Sequence, residues 1–245
     1  MTIRYEANPP KILPGIDLDE SISKFIDKIK LVATKCDAVH ITENVLGHQR
    51  ISPLKIGKII KREIPNLPIT VSLRVRDKNK KEVEEFIQES ISTGFSGILV
   101  LMGDPSTTGQ KDSGLIPSKV VKELHEKKID SKIDLYLSIS ARPDFTKIKK
   151  KLDAKPKGFM TQVVQTSEQV ENLKEKLKEF KIIPIVLFPS KKNQKSAEFL
   201  NLNLAKYEKN FKEFLNKVEE ISGDVLITSP SDFSGLNEFL ETRKP

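Results

Sequence analysis

Strand-like and helix-like segments alternate along this chain eight times, and this repetition restricts the fold more than any other feature. Continuous apolar runs such as Ile98–Met102 indicate strands buried on both faces, as in a parallel sheet covered by helices. Between such runs, apolar residues recur at helical spacing, as they do from Asp19 to Lys35. Eight strand–helix units in 245 residues match a (β/α)8 barrel, and an open doubly wound sheet is the alternative.

The boundaries of these segments follow from periodicity, capping residues and turn residues. The predicted strands cover residues 3–7, 38–42, 69–74, 97–102, 135–140, 158–162, 182–188 and 224–228. The predicted helices cover residues 19–35, 53–64, 83–91, 118–127, 144–152, 167–180, 195–200, 204–221 and 233–242. No linker, low-complexity tract or glycine-rich dinucleotide motif interrupts the series, so we predict a single α/β domain, a (β/α)8 TIM barrel over residues 1–245.

Composition argues against several classes of protein. The single cysteine, Cys36, excludes an internal disulfide, and the three histidines lack metal-ligand spacing, so no metal site is predicted. Neither a signal peptide nor an apolar run of membrane-spanning length is found, and we therefore expect a cytoplasmic protein without a membrane partner. The net charge of +8 comes mainly from lysines set among glutamates on predicted helices, with few arginines and no tryptophan. That pattern is typical of a solvated surface rather than of a nucleic-acid site.

Polar residues stand where the predicted strands end, which is where parallel barrels place their chemistry. Asp104 follows the fourth strand in Gly103-Asp104-Pro105, a sequence that is also compatible with a plain turn. Glu6 lies within the first strand, where an unpaired carboxylate is costly to bury. It is either a partner in a salt bridge or a general acid whose pKa is raised by its surroundings.

Six short motifs on these strand ends resemble, in order, those of the methylenetetrahydrofolate reductase family. Each motif is weak alone, but together they cover residues 5 to about 190 at positions that periodicity places independently. The motifs are Tyr5-Glu6-Ala7-Asn8-Pro9-Pro10-Lys11, Asp77-Lys78-Asn79, Gly103-Asp104-Pro105, Lys151-Leu152-Asp153-Ala154, Phe159-Met160-Thr161-Gln162 and Ile182-Ile183-Pro184.

The resemblance implies a (β/α)8 barrel that holds FAD and reduces 5,10-methylenetetrahydrofolate, or a related one-carbon pterin, to the 5-methyl form. NAD(P)H or another donor would supply the hydride. Glu6 would be the general acid, and Asp104 would adjust the charge near flavin and pterin. The resemblance assigns the remaining roles as follows: flavin contacts at Thr42, Ser72, Asp104, Asp144 and Lys151, and substrate contacts at Gln162 and Lys192.

The chain departs from the family pattern at four places, one of which is Lys155-Pro156-Lys157 in place of a glycine-containing turn. Ser72-Leu73-Arg74 replaces the usual His-Leu-Thr, and residues 137–143 lack the Tyr-Pro-Glu of many members, which removes two expected flavin contacts. Lys191-Lys192 stands where members often carry a phenylalanine. We therefore hypothesise that this lysine pair attracts an acidic substrate tail.

Two other functions remain open from the sequence. The chain could be a pterin-binding barrel in one-carbon or corrinoid methyl transfer without a flavin. It could also be a non-catalytic subunit of a redox complex that receives electrons from a partner subunit. The joint presence of Glu6, Asp104 and Gln162 favours an active site, and the oligomeric state, including a homo-oligomer, stays open.

Overall fold

The computed structural model describes residues 1–45, 48–105 and 112–243, and it forms a closed barrel of eight parallel strands in sequence order. This confirms the predicted (β/α)8 barrel over the open doubly wound sheet. The strands are β1 (Thr2–Ala7), β2 (Ala38–Ile41), β3 (Ile69–Arg74), β4 (Gly97–Leu101), β5 (Asp134–Ile139), β6 (Gly158–Val163), β7 (Lys181–Leu187) and β8 (Asp224–Thr228).

Helices follow the strands and pack on the outside of the barrel. They are α1 (Leu18–Ala33), α2 (Pro53–Glu63), α3 (Lys80–Ser92), α4 (Pro117–Glu126), α5 (Lys149–Leu152), α6 (Ser167–Lys176), α7 (Gln194–Phe199), α8 (Phe211–Ser222) and α9 (Phe233–Glu241). Their starts follow local chemistry: Asn79 and Glu82 form a reciprocal capping box before α3, and Ser52 caps α2 ahead of Pro53. None of the helices among the described residues is long and apolar enough to cross a membrane.

The alternation of side chains along each strand separates two cores. The outward residues join the helices in the main hydrophobic core, which includes Ile41, Val71, Val100 and Phe159. A smaller inward core of Leu99, Tyr136, Met160, Ile183 and Leu226 fills the middle of the barrel. Polar side chains occupy the inward positions above and below this core, so the barrel is packed and its open chemistry lies at the carboxyl ends of the strands.

Two predicted helices are wrong in extent. The segment 144–152 is helical only from Lys149, because Asp144 accepts hydrogen bonds from the backbone N–H and the hydroxyl of Thr146 and holds the chain in a turn. The segment 204–221 is a 3-10 turn at Leu204–Lys206 and then α8 from Phe211. Asn203 caps the 3-10 turn through the backbone N–H of Ala205.

Candidate functional site at the barrel mouth

Glu6 is the central side chain of the mouth, and its carboxyl is held by neutral groups. The Thr228 hydroxyl, on the neighbouring strand β8, donates to Glu6 Oε1 at 2.6 Å. The Asn8 side chain also hydrogen-bonds the carboxyl, and the Thr42 hydroxyl donates to Asn8 Oδ1 at 2.7 Å. Thr42, one of the predicted flavin contacts, is therefore tied to Glu6 through Asn8. Sequence reasoning assigned no role to Thr228 or Asn8.

Glu6 is part-buried, and its surroundings shift the pKa of its carboxyl. Loss of solvent raises the pKa of the Glu6 carboxyl, and this outweighs the hydrogen bonds from Thr228 and Asn8 and the charge of Arg50, which lower it. No ion pair of Glu6 is found among the described residues, and its role as a general acid stays a prediction. A carboxyl group with a raised pKa is better suited to donate a proton to a reacting nitrogen.

His40 lies on the neighbouring strand β2, where it is the register partner of Glu6. Its two ring nitrogens lie 2.9 Å from Thr70 Oγ1 and 3.0 Å from Ser72 Oγ, and all three residues are buried. Burial and the charge of Arg4 lower the pKa of His40 to about 3, so the ring is neutral. The Ser72 hydroxyl, which was predicted to contact flavin, hydrogen-bonds the His40 ring inside the barrel.

Asp104 is exposed and lies three residues after Leu101, the last residue of β4. Its main-chain carbonyl accepts a hydrogen bond from Arg74 Nη2 at 2.8 Å, and the guanidinium of Arg76 donates to the Gly103 carbonyl at 3.0 Å. The loop continues into residues 106–111, which lie outside the described part of the chain. Arg74 thus bonds the Asp104 carbonyl, whereas Arg76 bonds the carbonyl of the preceding Gly103.

The β5–α5 loop carries the other predicted flavin contacts. Lys151 donates from Nζ to the Ser138 carbonyl at the end of β5, at 2.6 Å, and burial lowers the pKa of its ammonium. Asp144 is exposed and pairs with Lys147 at 3.0 Å. Lys151 therefore lies against the barrel rim, whereas Asp144 stands on the outer part of the loop.

Gln162, a predicted substrate contact, lies near the end of β6. The β6–β7 pairing shifts register between Met160 and Val163, and the Thr161 hydroxyl replaces a ladder partner by accepting from the Ile185 N–H at 3.1 Å. Irregularities of this kind change the direction in which side chains point next to active sites. Gln162 itself is exposed and can both donate and accept hydrogen bonds.

Lys192 is held away from the centre of the mouth. Its ammonium lies 3.2 Å from Asp232 Oδ1, and Asp232 also caps α9 through the Gly235 N–H. Many barrels bind phosphate between the loops after strands seven and eight. Here the Asp232 carboxylate pairs with Lys192 after β8, and both Lys191 and Lys192 are exposed.

Comparison with known proteins agrees with this (β/α)8 barrel and its polar mouth. The sequence profile for methylenetetrahydrofolate reductase matches residues 1–224. The chain belongs to the methylenetetrahydrofolate reductase family. Among curated proteins, no sequence matches the chain.

Solved structures share the fold at low sequence identity. An uncharacterized protein from Clostridium thermocellum that binds two copies of 5-methyl-5,6,7,8-tetrahydrofolic acid is 14% identical, with a TM-score of 0.64 over 93% of this chain and 88% of that one. Tryptophan synthase from Pyrococcus furiosus is 12% identical, with a TM-score of 0.57 over 99% and 95%. The 2,3-dimethylmalate lyase is 10% identical, with a TM-score of 0.56 over 98% and 78%.

Proposed function

We propose that this protein reduces 5,10-methylenetetrahydrofolate, or a related one-carbon pterin, to the 5-methyl form at the barrel mouth. The observation that carries the proposal is Glu6, a carboxyl with a raised pKa held by Thr228 and Asn8 where the family places its acid. The folate-binding structural neighbour supports the substrate class, because that protein binds 5-methyltetrahydrofolate.

Glu6 supplies the proton that opens the substrate ring. The carbon–nitrogen bond of the five-membered ring breaks as the leaving nitrogen takes the Glu6 proton, and the one-carbon unit becomes an iminium on the other nitrogen. A hydride then adds to the iminium carbon and gives the methyl group. Gln162 orients the pterin by donating and accepting at once, and Asp104 places a negative charge near the cation as it forms.

FAD, which the family implies, would carry the hydride from NAD(P)H or another donor to the substrate. The polar half of FAD fits the β5–α5 loop, because Lys151 spends one of its three N–H donors on Ser138 and can give another to a phosphate. The exposed Asp144 carboxylate can accept from ribose hydroxyls. The flavin ring would lie near the end of β3, where Ser72-Leu73-Arg74 departs from the family pattern.

One observation favours a second function, a pterin-binding barrel without flavin. At the end of β3, the Ser72 hydroxyl is bonded to His40 and the Arg74 guanidinium to main-chain carbonyls, so both groups already have protein partners. A flavin ring at this position would have to bind without them or displace them.

An absorbance experiment separates the two functions. The purified protein is incubated with FAD, freed of unbound flavin, reduced with dithionite and mixed with methylenetetrahydrofolate. The reductase proposal predicts a retained flavin spectrum that bleaches and then recovers, with recovery lost in Glu6→Gln. Saturable binding of 5-methyltetrahydrofolate with no retained flavin would contradict the reductase and favour the flavin-free barrel.

A further inference from the structure

Arg74 is a large cationic side chain that is almost completely buried at the inner edge of the mouth, with 1% of its surface exposed. Resting on the proposed function, we propose that Arg74 is a positioning residue that fixes the loop after β4 and thereby holds Asp104 against the substrate. The family pattern has no arginine at this position, and the sequence assigned Arg74 no role.

The guanidinium joins the loops that follow three neighbouring strands. Nη1 donates to the Asn44 carbonyl after β2 at 2.7 Å, and Nη2 donates to the Asp104 carbonyl after β4 at 2.8 Å. Nη2 also lies 3.4 Å from Asp77 Oδ2 in the turn after β3. A planar group with fixed donor directions therefore connects the Asp77 turn and the Gly103-Asp104 turn.

Glu43 anchors the same arginine from the other side. Its Oε2 accepts from the Arg74 backbone N–H at 2.7 Å, and its Oε1 pairs with Lys78 at 2.6 Å. Glu43 and Lys78 are both largely buried, so this contact is not a solvent-exposed ion pair that salt would screen. The backbone that carries the guanidinium is thus fixed before its side chain reaches the β4 loop.

The backbone of Gly103 packs directly against the Arg74 side chain. Its backbone has φ +84°, and a Cβ built there would lie 2.7 Å from Arg74 Nε and 2.9 Å from Cζ. No side chain can occupy this position while Arg74 keeps its place. The glycine of Gly103-Asp104-Pro105 therefore has two reasons to be glycine, its left-handed backbone and the arginine packed against it.

A double-mutant cycle in thermal stability tests the geometry. Gly103→Ala in the wild type meets both the left-handed strain and the Arg74 side chain, whereas in an Arg74→Ala background, which lacks Cγ, Nε and Cζ, only the strain remains. We expect the loss of melting temperature caused by Gly103→Ala to be several degrees smaller in that background. Equal losses in the two backgrounds would overturn the packing argument.

A second cycle tests the positioning role, with the affinity for 5-methyltetrahydrofolate as readout. Arg74→Lys keeps the charge but cannot reach both carbonyls, and we expect binding to weaken about tenfold, roughly one lost hydrogen bond. In an Asp104→Asn background the same change should have little further effect. Arg76→Met is the matched control, since it removes a bond to the Gly103 carbonyl but leaves the Asp104 carbonyl bonded to Arg74.

The outcomes separate this proposal from the proposed function. Additive losses from Arg74→Lys and Asp104→Asn, or an equal loss from Arg76→Met, would overturn the positioning role. No binding of 5-methyltetrahydrofolate by the wild type would contradict the proposed function, and with it Asp104 as a substrate contact. In that case a positive stability cycle would still show that Arg74 sets the turn.

Discussion

Strands β1 and β8 bury polar groups in two contrasting ways at the two ends of the barrel interior. At the lower end, Arg4 and Asp224 form two hydrogen bonds of 2.7 Å, and Lys181 adds a third contact of 2.7 Å to the same carboxylate. At the mouth, two residues further along β1, Glu6 is held by the neutral hydroxyl of Thr228 on β8. The lower site pairs its carboxylate with two cations, and the upper one has a carboxyl with no cation bonded to it.

The difference shows how position in the barrel separates stability from chemistry. Asp224 lies between two cations and closes the floor of the barrel, whereas the part-buried Glu6 carboxyl is bonded to neutral groups and its pKa is raised. Only the second arrangement can release a proton during a reaction. The four predictions below test this contrast, from the largest expected effect to the smallest.

Asp224→Ala should destabilise the fold strongly, because it leaves Arg4 buried without its counter-charge. We expect the free energy of unfolding to fall by about 3–5 kcal/mol, the usual cost of breaking a buried pair. Denaturant unfolding at pH 7 measures it. Lys181→Met is the control, since that side chain is 36% exposed and Arg4 keeps its partner. Equal losses from the two variants would break the contrast between the floor and the mouth.

Glu6→Gln should have the opposite effect on stability while it removes activity. Folding raises the pKa of Glu6, so as the pH rises above the ordinary value of 4.5 the carboxyl of the unfolded chain loses its proton first. The wild type therefore loses stability as the pH rises from 4.5 towards the raised pKa of the folded protein. The variant should therefore be more stable than the wild type at pH 7 and gain nothing at pH 4. Folate reduction should fall by about 10²–10⁴-fold, the range for a lost general acid.

The measurements for this variant are denaturant unfolding at pH 4 and pH 7, together with single-turnover reduction of the folate. Thr228→Val is a matched control, because it removes the hydroxyl that lowers the pKa of Glu6 but keeps the carboxyl itself. A Glu6→Gln variant that is less stable at pH 7, or one that retains its reduction rate, would show that Glu6 is a structural partner and not an acid.

His40 provides a third test, now of the layer between floor and mouth. Its pKa is lowered from 6.5 to about 3 on folding, so the unfolded chain takes up a proton first as the pH falls below about 6.5. The wild type should lose stability from pH 6.5 towards pH 3. In His40→Gln, the slope of stability against pH should be shallower by up to one proton. Parallel slopes for the two proteins would place a charged His40 in the folded barrel.

Lys192→Ala should have the smallest effect. The ammonium is mostly exposed and its pairing with Asp232 is a surface contact, so we expect less than about 1 kcal/mol of lost stability. If the lysine pair attracts an acidic tail, the double variant Lys191→Ala, Lys192→Ala should lower affinity for a polyglutamyl folate more than for its monoglutamate. Calorimetry with both ligands measures it, and equal affinity changes would remove the lysines from the substrate site.

The sequence predicted the fold well because periodicity carries it. Strands β3 and β8 lie where they were predicted. Each is a run of strand-forming residues that ends at clear turn residues. The helix predicted over 204–221 failed because Asn203 caps a 3-10 turn through the Ala205 N–H, and the residues after it make backbone turn hydrogen bonds before α8 begins at Phe211. Local hydrogen bonds of this kind leave little trace in a pattern of apolar residues.

The candidate site could be predicted only in part. Glu6 and Asp104 stand at strand ends, which topology alone brings to one mouth, and their functional roles remain predictions. Thr228 could not be found, because its bond to Glu6 joins residues 222 positions apart across the closure of the barrel. Arg74 carried a signal, a charge inside a fully buried strand, but its partners are main-chain carbonyls that no sequence motif encodes.

The proposed function requires that the barrel mouth bind a reduced folate. Calorimetric titration of the wild type and of Gln162→Leu with 5-methyltetrahydrofolate tests this in one measurement. The account predicts saturable binding by the wild type and at least about tenfold weaker binding by the variant, since an exposed amide that contacts the pterin is lost. No binding, or equal affinity in the two proteins, would contradict it.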